Sequence, residues 1–275
     1  MARRKAVSSF LKRQREIEPV WHITQGPGHA FHIVAGLPED VLVVAVGGDG
    51  TVHEVAAACV NTDRVMGVLP VGSGNCYVKA LGVGTNLKRA LEILLGGKTR
   101  VVDAGEVNGV RFNDGLGIGF DAEVAAGVAE APERLGGSGR YMWSVGRLLW
   151  GFRCHEAVLE FDGGGAVEAR TILVAVALGT TSGARFRLAP EARLDDGLFD
   201  VVWSDEVSRA EVLRLVPAAL RGTLPRHPKV HLARAREVKV ELAEEVSAHV
   251  DGEPLAPTRA FRARVLAGAL RVLAP

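Results

Sequence analysis

One junction near the N-terminus leaves the chain few ways to fold. Residues 41–46 read Val-Leu-Val-Val-Ala-Val and run directly into Gly47-Gly48-Asp49-Gly50-Thr51. A strand that is apolar on both faces must be covered on both faces, as in a parallel sheet under helices. The glycines let the backbone turn sharply and approach a ligand closely, and residues 52–60 then read as a helix. The outline recurs: residues 64–69 read as a strand, Gly72-Ser73-Gly74-Asn75 as a second glycine loop, and residues 76–81 as a short helix. Asn86 is placed to cap a helix with the apolar face Leu87, Leu91, Leu94 and Leu95, which Gly96-Gly97 would end. Strand, loop and helix in alternation predict an α/β unit.

The texture changes near residues 101–103, where apolar and polar residues begin to alternate between glycine turns. Residues 156–162, Gly163-Gly164-Gly165 and residues 167–178 read as a β-hairpin. Residues 198–203, 237–242, 260–266 and 270–273 read as further strands. Ser208-Arg209-Ala210-Glu211 is a capping box for one helix reaching about Arg221. The expected architecture is an α/β domain over 1–103 and a mostly antiparallel β-sandwich domain over 104–275, with a cleft between. Residues 3–17 read as a basic amphipathic helix.

Composition excludes several classes. Thirty-three basic against 32 acidic residues in 275 give a net charge of +1, so no basic field for nucleic acid exists. Cys59, Cys76 and Cys154 form no CxxC pair, which argues against a disulfide framework or structural zinc and for a reducing cytoplasm. The basic start lacks the apolar stretch of a signal peptide. The longest apolar runs are too short to span a bilayer.

Residues 47–51 carry the strongest chemical signal. A glycine turn opening a helix aims N–H groups at an anion. Asp49 would repel a phosphate unless it holds Mg²⁺ or hydrogen-bonds an attacking hydroxyl; otherwise it is a helix cap. Ser73 in the second loop offers a hydroxyl to a phosphate oxygen. Asp251-Gly252-Glu253 before Pro254, and Asp195-Asp196-Gly197, read either as exposed acidic turns or as functional carboxylates. Gly97-Lys98-Thr99 ends like a phosphate-binding P-loop, but Glu92 stands where a glycine is required. His53-Glu54 opens like a zinc-protease motif whose second histidine position is Ala57.

Taken together these segments resemble the bacterial diacylglycerol kinase-like lipid kinases, the family that includes sphingosine and ceramide kinases. The likeness runs from about Trp21 to Pro275. It rests on Gly-Gly-Asp-Gly-Thr, on Gly72-Ser73-Gly74-Asn75 for the usual Gly-Thr-x-Asn, and on Phe112-Asn113 through Gly119-Phe120-Asp121-Ala122-Glu123-Val124. Leu188-Ala189-Pro190-Glu191-Ala192 with Asp195-Asp196-Gly197, and Asp251-Gly252-Glu253, follow in order. The resemblance implies an ATP-dependent lipid kinase with a nucleotide-binding domain at 1–103 and a lipid-substrate domain at 104–275. ATP would contact Thr24, Gly47, Gly48, Asp49, Gly50, Thr51, Val52, His53, Gly72, Ser73, Gly74 and Asn75. Glu253 would accept the proton of the lipid hydroxyl, with Asp49 also catalytic. Asp196, with the carbonyls near Arg193 and Leu198, would hold a structural magnesium, and a catalytic Mg²⁺ is expected near Asp49.

Two departures stand out. The family's first strand and its Asn-Pro-x-x-Gly loop are not seen, since the chain opens at what resembles the following helix. Gly179-Thr180-Thr181-Ser182 replaces an asparagine and further glycines. Tyr141, Trp143, Trp150 and Phe152 among Arg140, Arg147 and Arg153, and the basic stretch 221–239, suit contact with the inner membrane face, or else a core helix. The expected partners are ATP and a membrane lipid, with room for a homodimer. The alternatives are a catalytically impaired nucleotide- or lipid-binding member and an NAD kinase-like enzyme. Asp49, Asp196 and Glu253 favour activity.

Overall fold

The computed structural model describes Val7, residues 19–183 and residues 185–275. The basic helix expected over 3–17 lies outside that set except for Val7, which is helical and buried. The apolar run forms strand β1 (Val43–Gly47), parallel to β2 (Val65–Pro70). Pairing starts at Val43↔Met66, so Val41 and Leu42 stay outside the strand and exposed.

Helix α1 (His29–Ala35) packs on α2 (Asp49–Cys59). α2 begins three residues earlier than predicted, with Gly48 as an extended N-cap, so Asp49 belongs to its first turn. Glu54 of α2 accepts the N–H groups of Gly28 (2.7 Å) and Ala30 (2.8 Å), which satisfies the start of α1 from outside. After the second glycine loop come α3 (Cys76–Ala80) and α4 (Leu87–Gly96). Asn86 caps α4 as expected, accepting from the N–H groups of Lys88 and Arg89, and Gly97 closes it in the left-handed region.

The β-rich part is one continuous sheet with the α/β part. Strands β3 (Thr99–Val107), β4 (Val110–Phe112) and β5 (Gly115–Gly119) lead into α5 (Phe120–Glu130) and α6 (Gly136–Leu148). Then follow β6 (His155–Phe161), β7 (Ala166–Thr171), β8 (Leu173–Ala177), β9 (Phe199–Ser204), α7 (Arg209–Arg221) with its predicted capping box, and β10 (Val230–Ala235). Two long strands, β11 (Glu237–Val250) and β12 (Glu253–Leu273), complete the chain. The backbone order is β1-β2-β12-β11-β5-β8-β9-β10.

Three strand predictions change here. Residues 167–178 are not one hairpin arm: β7 pairs with β6, and the chain then crosses so that β8 lies between β5 and β9. Residues 260–266 and 270–273 belong to one strand, interrupted by an irregularity between Leu266 and Leu270. Residues 237–242 are the start of a strand that continues to Val250 past two register shifts. Bulges add unpaired residues, so a period of two breaks in sequence while the strand continues in space.

Strand β12 joins the two parts. It runs antiparallel to β11 and β3, and its end pairs in parallel with β2 through Arg271↔Val65 and Val272↔Met66. The main core accordingly holds Met66 and Leu69 together with Phe112, Phe199 and Leu270. A second core, including Phe120, Val145, Ile172 and Leu215, lies under α5, α6 and α7. Phe112 stacks on Phe199 at 5.7 Å and covers Gly105, where a side chain would collide with the ring. Phe112→Ala is expected to lower unfolding free energy by about 3–5 kcal/mol in urea titration.

Candidate active site

Because β1 and β2 are parallel, both glycine loops leave the same edge of the sheet. They touch through their backbones. A Cβ on Gly48 would lie 3.2 Å from Gly72 Cα, and one on Gly72 would overlap Gly48 outright. Only glycine at 72 allows this approach. The half-buried Asp49 bridges the loops: Oδ2 accepts the Asn75 N–H at 2.8 Å and Oδ1 the Cys76 N–H at 2.7 Å. Burial raises its pKa, with the two N–H groups working against that rise. Asp49 thus holds the second loop in place, in addition to any role toward a ligand.

The carboxylate expected from the other domain is present. A Cβ on Gly50 would lie 2.5 Å from Glu253 Oε1, so Glu253 faces the first glycine loop. It is delivered by Asp251-Gly252, a two-residue turn between β11 and β12 with φ +53° and +92° and the pair Val250↔Glu253 across it. Two positive φ values fit the tight hairpin turn whose twist matches that of its strands. The Asp251 side chain is buried, unlike that of an exposed acidic turn. It accepts the N–H groups of Asn113 (3.0 Å), Asp114 (2.8 Å) and Gly115 (2.9 Å), and His53 Nδ1 lies 2.7 Å from its Oδ2.

A cavity of about 210 Å³ opens beside Asp49, lined by Ser73, Tyr77, Asp114, Asp121, Tyr141, Thr180, Ser182 and His249 among others. Asp121 Oδ2 accepts the Ser182 hydroxyl at 3.0 Å and sits 3.2 Å from His249 Nε2. Burial pushes Asp121 up, but the His249 and Ser182 bonds outweigh it and lower its pKa. Asp114 is buried, and its Oδ1 has no partner among the described residues. Burial, then the charges of Asp251 and Asp49, push its pKa well above the usual range. A narrower apolar cavity of about 70 Å³ shares Asp121 and Leu188 with the first. It passes among Phe120, Val124, Val145, Phe186 and Leu215.

Comparison with known proteins places the chain in a family. Residues 3–107 match the diacylglycerol kinase catalytic domain, and residues 115–274 match the YegS C-terminal NAD kinase beta sandwich-like domain. A diacylglycerol kinase of Bacillus subtilis strain 168 is 31% identical over 245 residues, 87% of this chain and 80% of the relative. The chain belongs to the diacylglycerol kinase family. Its fold is shared by a putative diacylglycerol kinase from Bacillus anthracis (TM-score 0.75, 22% identity, 92% of this chain and 84% of that one). An NAD kinase from Archaeoglobus fulgidus in complex with ATP is a more distant fold neighbour (TM-score 0.53, 12% identity, 98% and 88%).

Not every residue that the family resemblance singled out meets the loops in this diacylglycerol kinase family member. Gly47, Gly48, Asp49, Gly50, Thr51, Gly72, Ser73, Gly74 and Asn75 make up the two adjoining loops. Ser73 is exposed at the tip, whereas Val52 is buried in the core. Thr24 is exposed in the segment before α1. His53 directs Nδ1 to Asp251. In the 193–198 loop, Asp196 is paired with Arg234, and Asp195 with Arg100 (2.8 Å) and Arg193 (3.7 Å). Asp103 ties that loop down by accepting the Gly197 N–H at 2.8 Å. Among the described residues no group of three or more His, Cys, Asp or Glu is assembled for a metal ion. Arg234 holds the Asp196 carboxylate here, and a magnesium ion at that point would have to displace it.

Asp114, Asp121, Asp251 and His249 escaped the reading of the sequence as site residues. The Asp-Gly dipeptide before Glu253 was a usable signal for Asp251, since it marks a hairpin turn. Asp114 and His249 carry no local pattern. Gly72→Ala is expected to force the loops apart and raise the KM for ATP by roughly tenfold or more, read in steady-state kinetics, because the clash is with backbone.

Proposed function

We propose that this kinase transfers the γ-phosphoryl group of ATP to a hydroxyl of a membrane lipid of the diacylglycerol type, with Glu253 as proton acceptor. The observation that carries the reading is the position of Glu253 Oε1 against Gly50, a carboxylate from one part of the fold facing the glycine loop of the other. The N–H groups of the two loops and the N-terminus of α2 suit the nucleotide phosphates. Mg²⁺ brought with the nucleotide would offset phosphate charge. Asp49 and the Asn75 Oδ1, a buried acceptor without a partner, are the side-chain oxygens at the loop junction that fit it.

The acceptor lipid suits the paired cavities. Its headgroup would enter the polar cavity beside Asp49, and the apolar one would take the start of a chain. The membrane side is proposed from Met142 and Trp150, which are exposed on and just after α6, with Arg147 over Trp143 and Arg209 over Trp150. Arginine paired with aromatic rings suits an anionic headgroup layer. No helix among the described residues is long and apolar enough to cross a membrane.

In an assay with ATP and diacylglycerol vesicles, Glu253→Gln is expected to lower kcat by about 10²–10⁴ with the KM for ATP little changed. Asp49→Asn is expected to lower turnover by about 10² or more with the fold intact, checked by circular dichroism. Full turnover in either variant would remove that residue from the mechanism.

A further inference from the structure

His53 stands one helical turn beyond Asp49 on α2, yet its ring engages the other part of the fold. Its Nδ1 is 2.7 Å from Asp251 Oδ2, and the Asp251 side chain is only 3% exposed. Asp251 has the left-handed backbone (φ +53°) that this two-residue turn requires and aspartate readily adopts, and its surroundings fix the side chain. Those surroundings are the N–H groups of residues 113–115, the Gly115 carbonyl that accepts the Asp251 N–H at 2.9 Å, and His53. On the far side of the turn, the Gly252 N–H donates to His249 Nδ1 at 3.1 Å, and the other nitrogen of that ring lies 3.2 Å from Asp121. The next residue along is Glu253, set against Gly50. Of the contacts on this turn, that of His53 comes from the helix that the first glycine loop opens.

We propose that His53 is a positioning residue whose bond to Asp251 holds the Asp251-Gly252 turn to α2 and thereby keeps Glu253 in register with the phosphate loop. This rests on the kinase reading above for what Glu253 does, and on geometry alone for the clasp. A displacement of about 1 Å in a reacting group costs on the order of a hundredfold in rate, so a contact that fixes the separation of loop and base acts on kcat. The charges facing His53 are Asp251, Glu253 and its neighbour Glu54. Burial lowers its pKa, but the Asp251 bond and the three carboxylates outweigh burial and raise it. The charged clasp is therefore complete below the ordinary histidine pKa of about 6.5 and is lost as pH rises through the higher folded value.

The experiment compares His53→Leu and His53→Asn with the parent chain. His53→Leu is expected to lower kcat by about 10–100-fold while the KM for ATP stays within about threefold. His53→Asn keeps an amide that reaches Asp251, so it should recover kcat to within roughly threefold and lose the alkaline decline of kcat expected of the parent. A KM for ATP raised about tenfold or more at unchanged kcat would make His53 a nucleotide contact and overturn the proposal. So would a His53→Leu enzyme indistinguishable from the parent. A second readout needs no lipid turnover and covers a His53→Leu chain that fails to fold: NMR titration of the His53 ring in the parent and in Asp251→Asn. Its midpoint should fall in the variant. An unchanged midpoint overturns the clasp, whereas a fallen midpoint in a protein that phosphorylates no lipid would leave the clasp standing and the kinase reading refuted.

Discussion

The buried carboxylate of Asp251 is the point at which the two parts of the molecule are held in register. It accepts three consecutive backbone N–H groups from residues 113–115, the segment that leads from β4 into β5, and it meets His53 on the glycine-loop helix. Hydrogen bonds to a charged group contribute about 1.5–3 kcal/mol each, and stranding their buried partners costs more than the bonds themselves contribute. One side chain therefore orients the linker, the hairpin turn and α2 together. Glu253 takes its place from that turn, and the glycine loop takes its place from that helix.

The sheet provides the lever arm. β12 starts at the turn that delivers Glu253 and ends beside the first residues of β2, the strand that runs on to the second glycine loop. One strand thus connects the Glu253 turn to the strand that carries that loop. The irregularity between Leu266 and Leu270 lets this strand bend from one part of the sheet into the other. Since the core of Met66, Phe112, Phe199 and Leu270 is common to both parts, rigid packing resists changes in their relative placement.

Four aspartates surround the polar cavity, and each is accommodated differently. Asp49 faces the N–H groups of Asn75 and Cys76, and Asp251 those of the linker. Asp121 has His249 and Ser182. Asp114 has a buried oxygen with no partner among the described residues, and burial together with its acidic neighbours makes it hold its proton to higher pH than an ordinary aspartate. The cavity tolerates so many carboxylates because most of their charge is spread onto N–H groups, a hydroxyl and histidine.

Local patterns were enough for the elements around the glycine loops. An unbroken apolar run names a doubly covered strand, glycines name the loops, Asn86 and Ser208 name helix starts, and the order of the motifs names the family. Each of these signals acts over a few residues, so each survives in one dimension. The fold of β11 and β12 was not legible, because bulges break the period of two, and the crossing from β7 to β8 was hidden because no glycine or proline marks it between Ala166 and Leu178. Asp251 read either as an exposed turn or as a functional carboxylate because the N–H donors that it binds lie about 137 residues away in sequence, and nothing beside His53 names Asp251 as its partner. Asp196 likewise meets Arg234, a partner 38 residues further on. Sequence by itself determined the family, the two glycine loops and which strands must be buried. Tertiary structure alone decided which carboxylate faces which loop, because pairings between distant segments are set by β-strand register and shared packing, to which no short stretch of sequence has access.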